Sequence, residues 1–296
     1  MSTNMNKLET YKKQIQADFP ELTIQDLEFI GSGWDHDAVQ VNDRLIFRLP
    51  KDSGDLELES VHLHYEVKAL NYLRGRLPIE IPQPTHVSPS RSYFGYPKLY
   101  GVMIAEDQAT PIELNRPALL QDWVKVSSQI HSAMPVETAR LLGVPEDRPD
   151  FSLAQRFCSL PAVDKAVREY TAKVLADTEL FIQKGQSLVF AHNDLRFQNM
   201  LLYPEATRIQ GLIDWSDMSI APIEKEFSSS SWSSEELVRA IALYPKSIIK
   251  VIDLDQVLRW RWLEDVSDFI ELTDANNVDA IEILERLCRN VNINLS

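Results

Sequence analysis

Cysteine is nearly missing from this chain: only Cys158 and Cys288 occur in 296 residues, far apart in sequence. Two distant thiols build no disulfide framework, so the fold should rest on a hydrophobic core and suit a reducing compartment. No apolar run approaches the ~20 residues that a membrane helix needs. The segment Met1-Ser2-Thr3-Asn4-Met5-Asn6-Lys7 has no apolar stretch of the kind that marks a secretory signal. A basic excess is lacking too, since 44 Asp and Glu stand against 30 Lys and Arg for a net charge of −14. That balance argues against a nucleic-acid partner and against an anionic membrane surface. There is no internal repeat, and no Gly-x4-Gly-Lys-Ser/Thr motif, which disfavours P-loop folds. A cytoplasmic monomer is the expectation.

What is present is ordinary globular material: 44% hydrophobic and 25% charged residues. The length suits one large domain or two small ones, with a core of useful size. The acidity is concentrated. Residues 191–296 carry 18 acidic and 10 basic side chains, a net of −8, so a cationic ligand would be drawn to the last third.

Hydrophobic patterning divides the chain. Residues 6–18 show helical spacing through Leu8, Tyr11 and Ile15, ended by Pro20. Residues 27–50 read as three antiparallel strands, with Gly31-Ser32-Gly33 and Asn42-Asp43 as the breaks. Residues 57–75 read as a helix stopped by Pro78, Pro82 and Pro84, and a strand pair follows around 84–104. From about 116 the pattern is mainly helical, clearest at Leu119–Ile130 and Val163–Ile182. One β-rich island interrupts it at Leu188–Ile213. This is an α+β chain of two lobes: residues 1–100, a small antiparallel sheet with one helix, and residues 101–296, larger and mainly helical. The boundary falls near Gly101.

The chemistry concentrates in His192-Asn193-Asp194-Leu195-Arg196-Phe197-Gln198-Asn199, with Asp214 fifteen residues further on after Gly211-Leu212-Ile213. A carboxylate at a loop tip, Asp194, can accept a proton from a substrate hydroxyl. Asn199 and Asp214 offer hard oxygen atoms of the kind Mg²⁺ takes together with phosphate oxygens and water. A base plus two metal ligands is the equipment of phosphoryl transfer. His192 reads as a structural residue holding this loop. Other candidates fail on geometry. In Asp35-His36-Asp37, alternate strand residues point to opposite faces, and His62 and His64 are two apart on a helix.

His-x-Asp-x4-Asn followed by Ile-Asp-Trp resembles the catalytic and metal segments of the aminoglycoside phosphotransferase family, the protein-kinase-like antibiotic kinases. The likeness runs in order over about residues 25–230. Gly31-Ser32-Gly33-Trp34-Asp35 falls at the family's nucleotide loop, which implies phosphate contacts at Ser32 and Gly33. Arg48 falls where a Lys usually grips the α/β-phosphates, and Glu66 where its ion-pair partner sits. Tyr96-Pro97-Lys98-Leu99-Tyr100-Gly101 falls at the interlobe hinge, which implies base contacts through the backbone of Pro97 and Leu99. The resemblance implies a two-lobed protein-kinase-like fold, with Asp194 as catalytic base and Mg²⁺ on Asn199 and Asp214. Tyr96, a bulky residue behind the base, implies GTP in preference to ATP as donor.

In the family, carboxylates of the C-terminal region bind the drug's ammonium groups. This implies substrate roles for Asp217, Glu235, Glu236, Glu264 and Asp268, with charge-assisted hydrogen bonds as the physical basis. The implied outcome is inactivation of an aminoglycoside by phosphorylation of a hydroxyl. Two departures stand out: Arg48 replaces Lys, and in Ala221-Pro222-Ile223-Glu224-Lys225-Glu226-Phe227 Glu226 stands where Asp is common. Arg48-Leu49-Pro50 and Leu212-Ile213-Asp214-Trp215-Ser216 also look like macrolide kinases, so a macrolide is the second substrate reading and a small metabolite alcohol the third. A nucleotide-binding regulator without transferase activity is the reading from another class.

Overall fold

A computed structural model describes residues 2–33, 36–51, 56–90, 92–104, 114–147 and 149–294. Trp34 and Asp35 of the expected nucleotide loop lie outside the described residues. The chain gathers into two compact units, Met1–Pro145 with Arg196–Met218, and Glu146–Leu195 with Ser219–Ser296. This partition differs from the division read at Gly101.

In the first unit, helix α1 (Ser2–Asp18) precedes strands β1 (Leu27–Ser32), β2 (His36–Val41) and β3 (Leu45–Pro50). Helix α2 (Leu56–Leu73) follows, then β4 (His86–Val87) and β5 (Phe94–Pro97). The five strands form one antiparallel sheet in the order β1-β2-β3-β5-β4. Asn42 and Asp43 turn between β2 and β3 with φ of 53° and 52°. Both residue types tolerate the left-handed region that a two-residue hairpin demands. The Asn42 carboxamide then accepts from the Gln25 and Asp26 N–H groups at 2.8 and 3.1 Å, fixing the chain's entry into β1.

Period-two alternation gives this sheet two different faces. Val39, Val41, Phe47 and Leu49 form one core with Tyr93 and with Tyr11, Ile15 and Phe19, so α1 covers this side. Ile46 and Arg48 belong to the opposite face. Gly95 is paired with Phe47 in the register, and a Cβ there would stand 2.5 Å from the Phe47 ring. Only glycine lets the ring lie flat across its neighbouring strand. The small sheet is thus accompanied by a second helix, α1, covering the segment 6–18 that showed helical spacing.

The expected strand pair at 84–104 divides. β4 and β5 pair with each other, whereas β6 (Val102–Met103) leaves to pair with β8 (Met200–Leu202), which also pairs with β9 (Ile209–Leu212). Gly101 permits the departure. Its φ is +148°, and a Cβ would meet the Leu201 side chain at 2.7 Å. Helices α3 (Arg116–Ala133) and α4 (Val136–Leu142) complete the unit. Asn115 caps α3 by accepting from the Ala118 N–H.

The second unit holds α5 (Ser152–Ser159), α6 (Lys165–Gln183), β7 (Leu188–Ala191) and β10 (Ser219–Pro222). It continues with α7 (Ile223–Ser228), α8 (Ser234–Leu243), α9 (Leu254–Asp274) and α10 (Asp279–Asn294). β7 and β10 form an antiparallel pair; β10 lies beyond the β-rich island read in the sequence. Phe157, Val167, Val174, Trp260, Trp262, Val266 and Leu287 join α5, α6, α9 and α10 in one core. Fully burying such side chains is worth about 1.5–3 kcal/mol each. Inside it the Trp262 indole donates to Thr171 Oγ1 at 3.0 Å, whereas the buried Trp260 indole N–H has no hydrogen-bond partner among the described residues. Among the described residues no helix is long and apolar enough to cross a membrane.

Candidate active site

The first unit assembles an ionic centre on the Arg48 face of the sheet. One guanidinium nitrogen donates to Glu66 Oε1 at 2.8 Å and another to Asp214 Oδ1 at 2.9 Å. Side-chain exposures are 12% for Arg48, 6% for Glu66 and 44% for Asp214, so the pair is sheltered and Asp214 is its open end. Burial works against the guanidinium charge, but Glu66 and Asp214 overcome it and hold Arg48 above its ordinary value. Burial raises the Glu66 carboxyl while Arg48 pulls it back. Arginine suits this position because its planar fork reaches two carboxylates at once, which one ammonium nitrogen does with less directional control.

Tyr96 is buried beside this centre. Its hydroxyl is pushed up to about 12 by burial, with Asp214 and Glu66 adding to the effect against Arg48. Tyr65, next to Glu66 on α2, is likewise pushed up to about 12 by burial, with Glu66 and Asp217 adding. Asp217 itself is exposed, three residues past Asp214.

Local backbone geometry sets Asn199 and Asp214 side by side. Asn199 ends a 3-10 turn, Phe197–Asn199, that leads into β8. Its carbonyl accepts from the Ile213 N–H at 2.9 Å, directly before Asp214. Asp214 adopts φ +58°, a region rare for residues other than glycine, and the chain there is pinned by buried Trp215, whose indole donates to the Leu212 carbonyl at 3.1 Å. Aspartate tolerates this region, as Asp43 does in the hairpin, and the packing of Trp215 holds it there. Among the described residues no group of three or more His, Cys, Asp or Glu forms a closed metal cage. An Asn and an Asp with an open carboxylate still fit Mg²⁺, which keeps waters and takes phosphate oxygens instead of a full protein shell.

The loop Gly31–Gly33 is closed by a hydrogen bond from the Gly33 N–H to the His36 carbonyl at 2.8 Å, and Lys51 Nζ donates to the Gly33 carbonyl. Gly33's N–H is therefore engaged within the turn. A Cβ at Gly31 would meet nothing within 4 Å, so the space above this backbone is open to a ligand. At the expected hinge, Pro97 pairs with Leu45 in the register, and the Lys98 N–H donates to the Arg44 carbonyl at 2.8 Å. Leu99 is half-buried there.

The second unit carries Asp194 and its frame. His192 is fully buried, and its Nδ1 accepts from the Asp194 N–H at 3.2 Å, so the imidazole shapes the loop from within. Asn193 takes φ +63° and donates from Nδ2 to Ser219 Oγ at 2.7 Å. Beneath lies Glu226 on α7, fully buried, accepting from the His192 N–H at 3.3 Å and the Asn193 N–H at 2.6 Å. Sequence reasoning noted Glu226 only as a departure on the substrate side. Its partners are backbone groups 33 and 34 residues earlier, and no spacing rule announces them.

The acidic residues expected to meet substrate are dispersed. Glu235 is exposed in the first turn of α8. Glu236 closes a capping box, with its Oε2 accepting from the Ser233 N–H at 2.9 Å and its N–H donating to Ser233 Oγ. On α9, Glu264 accepts from Ser228 Oγ at 2.8 Å, and Asp265 binds Arg286 through two nitrogens. Glu264 and Asp268, both half-buried, stand four residues apart and share a helix face. Arg261 orders the Ser-rich link by donating to the carbonyls of Ser228, Ser230 and Trp232 at 3.1, 2.9 and 2.8 Å.

Residues 26–246 match the family model described as the phosphotransferase enzyme family. The GDP complex of wild-type aminoglycoside 2'-phosphotransferase-IIIa is similar to this chain with TM-score 0.78 and 22% identity, over 98% of this chain and 99% of that one. The apoenzyme of the macrolide 2'-phosphotransferase MphH from Brachybacterium faecium gives TM-score 0.67 and 16% identity, over 93% and 97%. The streptomycin–ATP ternary complex of APH(2'')-IIa gives 0.62 and 16%, over 95% of each chain. No curated protein matches by sequence. At these identities the structural likeness speaks for the fold, which is the two-lobed kinase-like one.

Proposed function

Because the chain belongs to the phosphotransferase enzyme family, we propose that it transfers the γ-phosphoryl group of GTP or ATP to a hydroxyl of an aminoglycoside. The observation that carries this reading is the Arg48 fork, which joins Glu66 to Asp214 and so sets a phosphate-gripping cation beside a metal-binding carboxylate. Residues 1–100 act as the nucleotide lobe and 101–296 supply the catalytic loop and the substrate region. Asn199 and Asp214 would hold Mg²⁺, which when bound supplies neutralising charge to the phosphates. Arg48, steadied by Glu66, orients the α/β-phosphates. Ser32 and the loop backbone contact phosphate, and Pro97 and Leu99 present backbone groups to the base.

Asp194 accepts the substrate hydroxyl proton as that oxygen forms its bond to the γ-phosphorus. The bond from phosphorus to the bridging oxygen breaks, leaving nucleoside diphosphate and a phosphate ester. Asp217, Glu235, Glu236, Glu264 and Asp268 are the proposed contacts for substrate ammonium groups. Buried Tyr96 limits the depth of the base site and favours GTP; one related structure holds GDP and another ATP. The reaction would inactivate the drug in the cytoplasm, carried out by a monomer without nucleic-acid or membrane partners.

A macrolide acceptor is the second reading. Glu236 and Glu264 are already engaged by Ser233 and Ser228, which suits a substrate with one amine better than one with many. The deciding experiment incubates the purified protein with Mg²⁺, either nucleotide, and a panel of aminoglycosides and macrolides, with mass spectrometry of the products. A phosphate added to an aminoglycoside supports the first reading and one added to a macrolide the second. Nucleotide binding without a product on any acceptor would remove the antibiotic assignment and leave a kinase of a small metabolite alcohol or the non-catalytic regulator.

A further inference from the structure

Asp37, set aside as a metal ligand because its neighbours point the other way, has a partner set of its own. It lies on β2, paired in register with Ser32, and shares the α1-facing side of the sheet with Val39 and Val41. The residue is fully buried. A carboxylate removed from water must be matched by donors or it destabilises the fold. Tyr11 Oη donates to Oδ2 at 2.6 Å and Lys7 Nζ pairs with the same oxygen, both from α1. Ser32 Oγ, from the loop that carries the proposed phosphate contacts, donates to Oδ1 at 2.7 Å.

We infer that α1 is a positioning element for nucleotide binding, and that Asp37 transmits its docking to Ser32. This rests on the nucleotide reading of the Gly31–Gly33 loop. With its hydroxyl hydrogen committed to Asp37, Ser32 has one rotamer, and its lone pairs and backbone N–H hold a fixed direction. Removing the Tyr11 hydroxyl leaves Lys7 as the partner of Oδ2, and the carboxylate then turns toward that ammonium and away from Ser32. The hydrogen bonds to Asp37 outweigh its burial and hold its carboxyl below the usual range, as expected for a carboxylate kept ionised in a dry site.

A matched control exists. Tyr93 Oη, just before β5, donates to Asp18 Oδ2 at 2.5 Å, a second hydroxyl-to-carboxylate bond to α1, at its last residue and about two turns past Tyr11. Tyr11→Phe and Tyr93→Phe both keep their rings and should both lower the melting temperature, Tyr11→Phe the more because Asp37 is fully buried and Asp18 half-buried. Only Tyr11→Phe should weaken GDP binding, by about tenfold for one charge-assisted hydrogen bond. Calorimetry should show that this loss vanishes in a Ser32→Ala background. Hydrogen exchange at the 31–33 amides, measured without nucleotide, should quicken in Tyr11→Phe and stay unchanged in Tyr93→Phe. Equal GDP affinities in the two variants, or a Tyr11→Phe effect that persists without the Ser32 hydroxyl, would overturn the inference. If the wild-type protein binds no GDP, GTP or ATP, the nucleotide reading falls. Loop exchange then decides alone whether the Asp37 link exists.

Discussion

The two units hold their key carboxylates by different means. In the first, Glu66 and Asp214 share the Arg48 guanidinium, and Asp37 faces the Lys7 ammonium. In the second, Glu226 and Glu224 are buried against backbone N–H groups, those of His192 and Asn193 for Glu226 and that of Asp253 for Glu224. A side-chain cation on a long stem can turn to a new anion when one arrives. A backbone amide cannot leave its place in the fold. Arg48 is therefore suited to exchange Asp214 for phosphate, whereas Glu226 is suited to fix a loop that must not move. The same acid chemistry gives an adjustable contact in one region and a rigid frame in the other.

The largest test of this contrast compares the two aspartates. Asp194→Ala should lower turnover by about 10²–10⁴-fold, the usual weight of a positioned base, with nucleotide binding retained in calorimetry. Asp214→Ala should do the converse and abolish Mg²⁺-dependent nucleotide binding. If both variants lose binding equally, the division of labour between the regions is wrong.

Next comes the frame itself. Glu226→Gln puts an amide NH₂ against one of two buried N–H donors, and one unsatisfied donor costs about 1–3 kcal/mol. Denaturant titration should show that loss, and kcat should fall while the nucleotide KM stays put. A change confined to KM would show that Glu226 acts on the nucleotide side.

Arg48→Lys should be milder. It retains the charge and loses the fork, so the nucleotide KM should rise by about tenfold, equivalent to one charge-assisted contact, with little change in melting temperature. A larger loss of stability than in Glu226→Gln would reverse the assignment of adjustable and rigid tethers.

The smallest effect concerns pH. Burial raises the Glu224 carboxyl above its ordinary value. The folded state then binds the proton more tightly than the unfolded chain, so stability falls as pH climbs from the ordinary carboxylate value through the raised one. Glu224→Gln keeps an acceptor for the Asp253 N–H and should melt slightly higher than the wild type at pH 7. The gap should close as the pH is lowered toward 4. A gap that widens in acid would mean that Glu224 is stabilised as a carboxylate.

Much of the fold could be read along the chain because its signals are local. Asn42-Asp43 declared a hairpin, Pro20 ended a helix, and His192 through Asn199 with Asp214 announced the candidate site through spacing alone. The illegible parts are long-range. Glu226 finds its partners across more than thirty residues, and the departure of β6 to β8 joins segments about a hundred residues apart. Asp37 shows how a sound local rule can stop short. Strand alternation excluded it as a ligand beside His36, and the same alternation placed it, with Val39 and Val41, against a helix whose docking no local signal announced. The substrate acids were legible as a charged region, but which of them were already occupied by a serine, a cap or an arginine depended on tertiary neighbours.

The meeting of Gly95 with the Phe47 ring carries a consequence for how this chain can diversify. The two positions form a single unit of inheritance. A larger residue at 95 is admissible only after the ring at 47 has been traded for something smaller, so the order of changes is constrained and the single step at 95 is closed. In a deep library of variants, position 95 should be depleted of every side chain when 47 is Phe and regain Ala or Ser only in lineages that have first lost the ring.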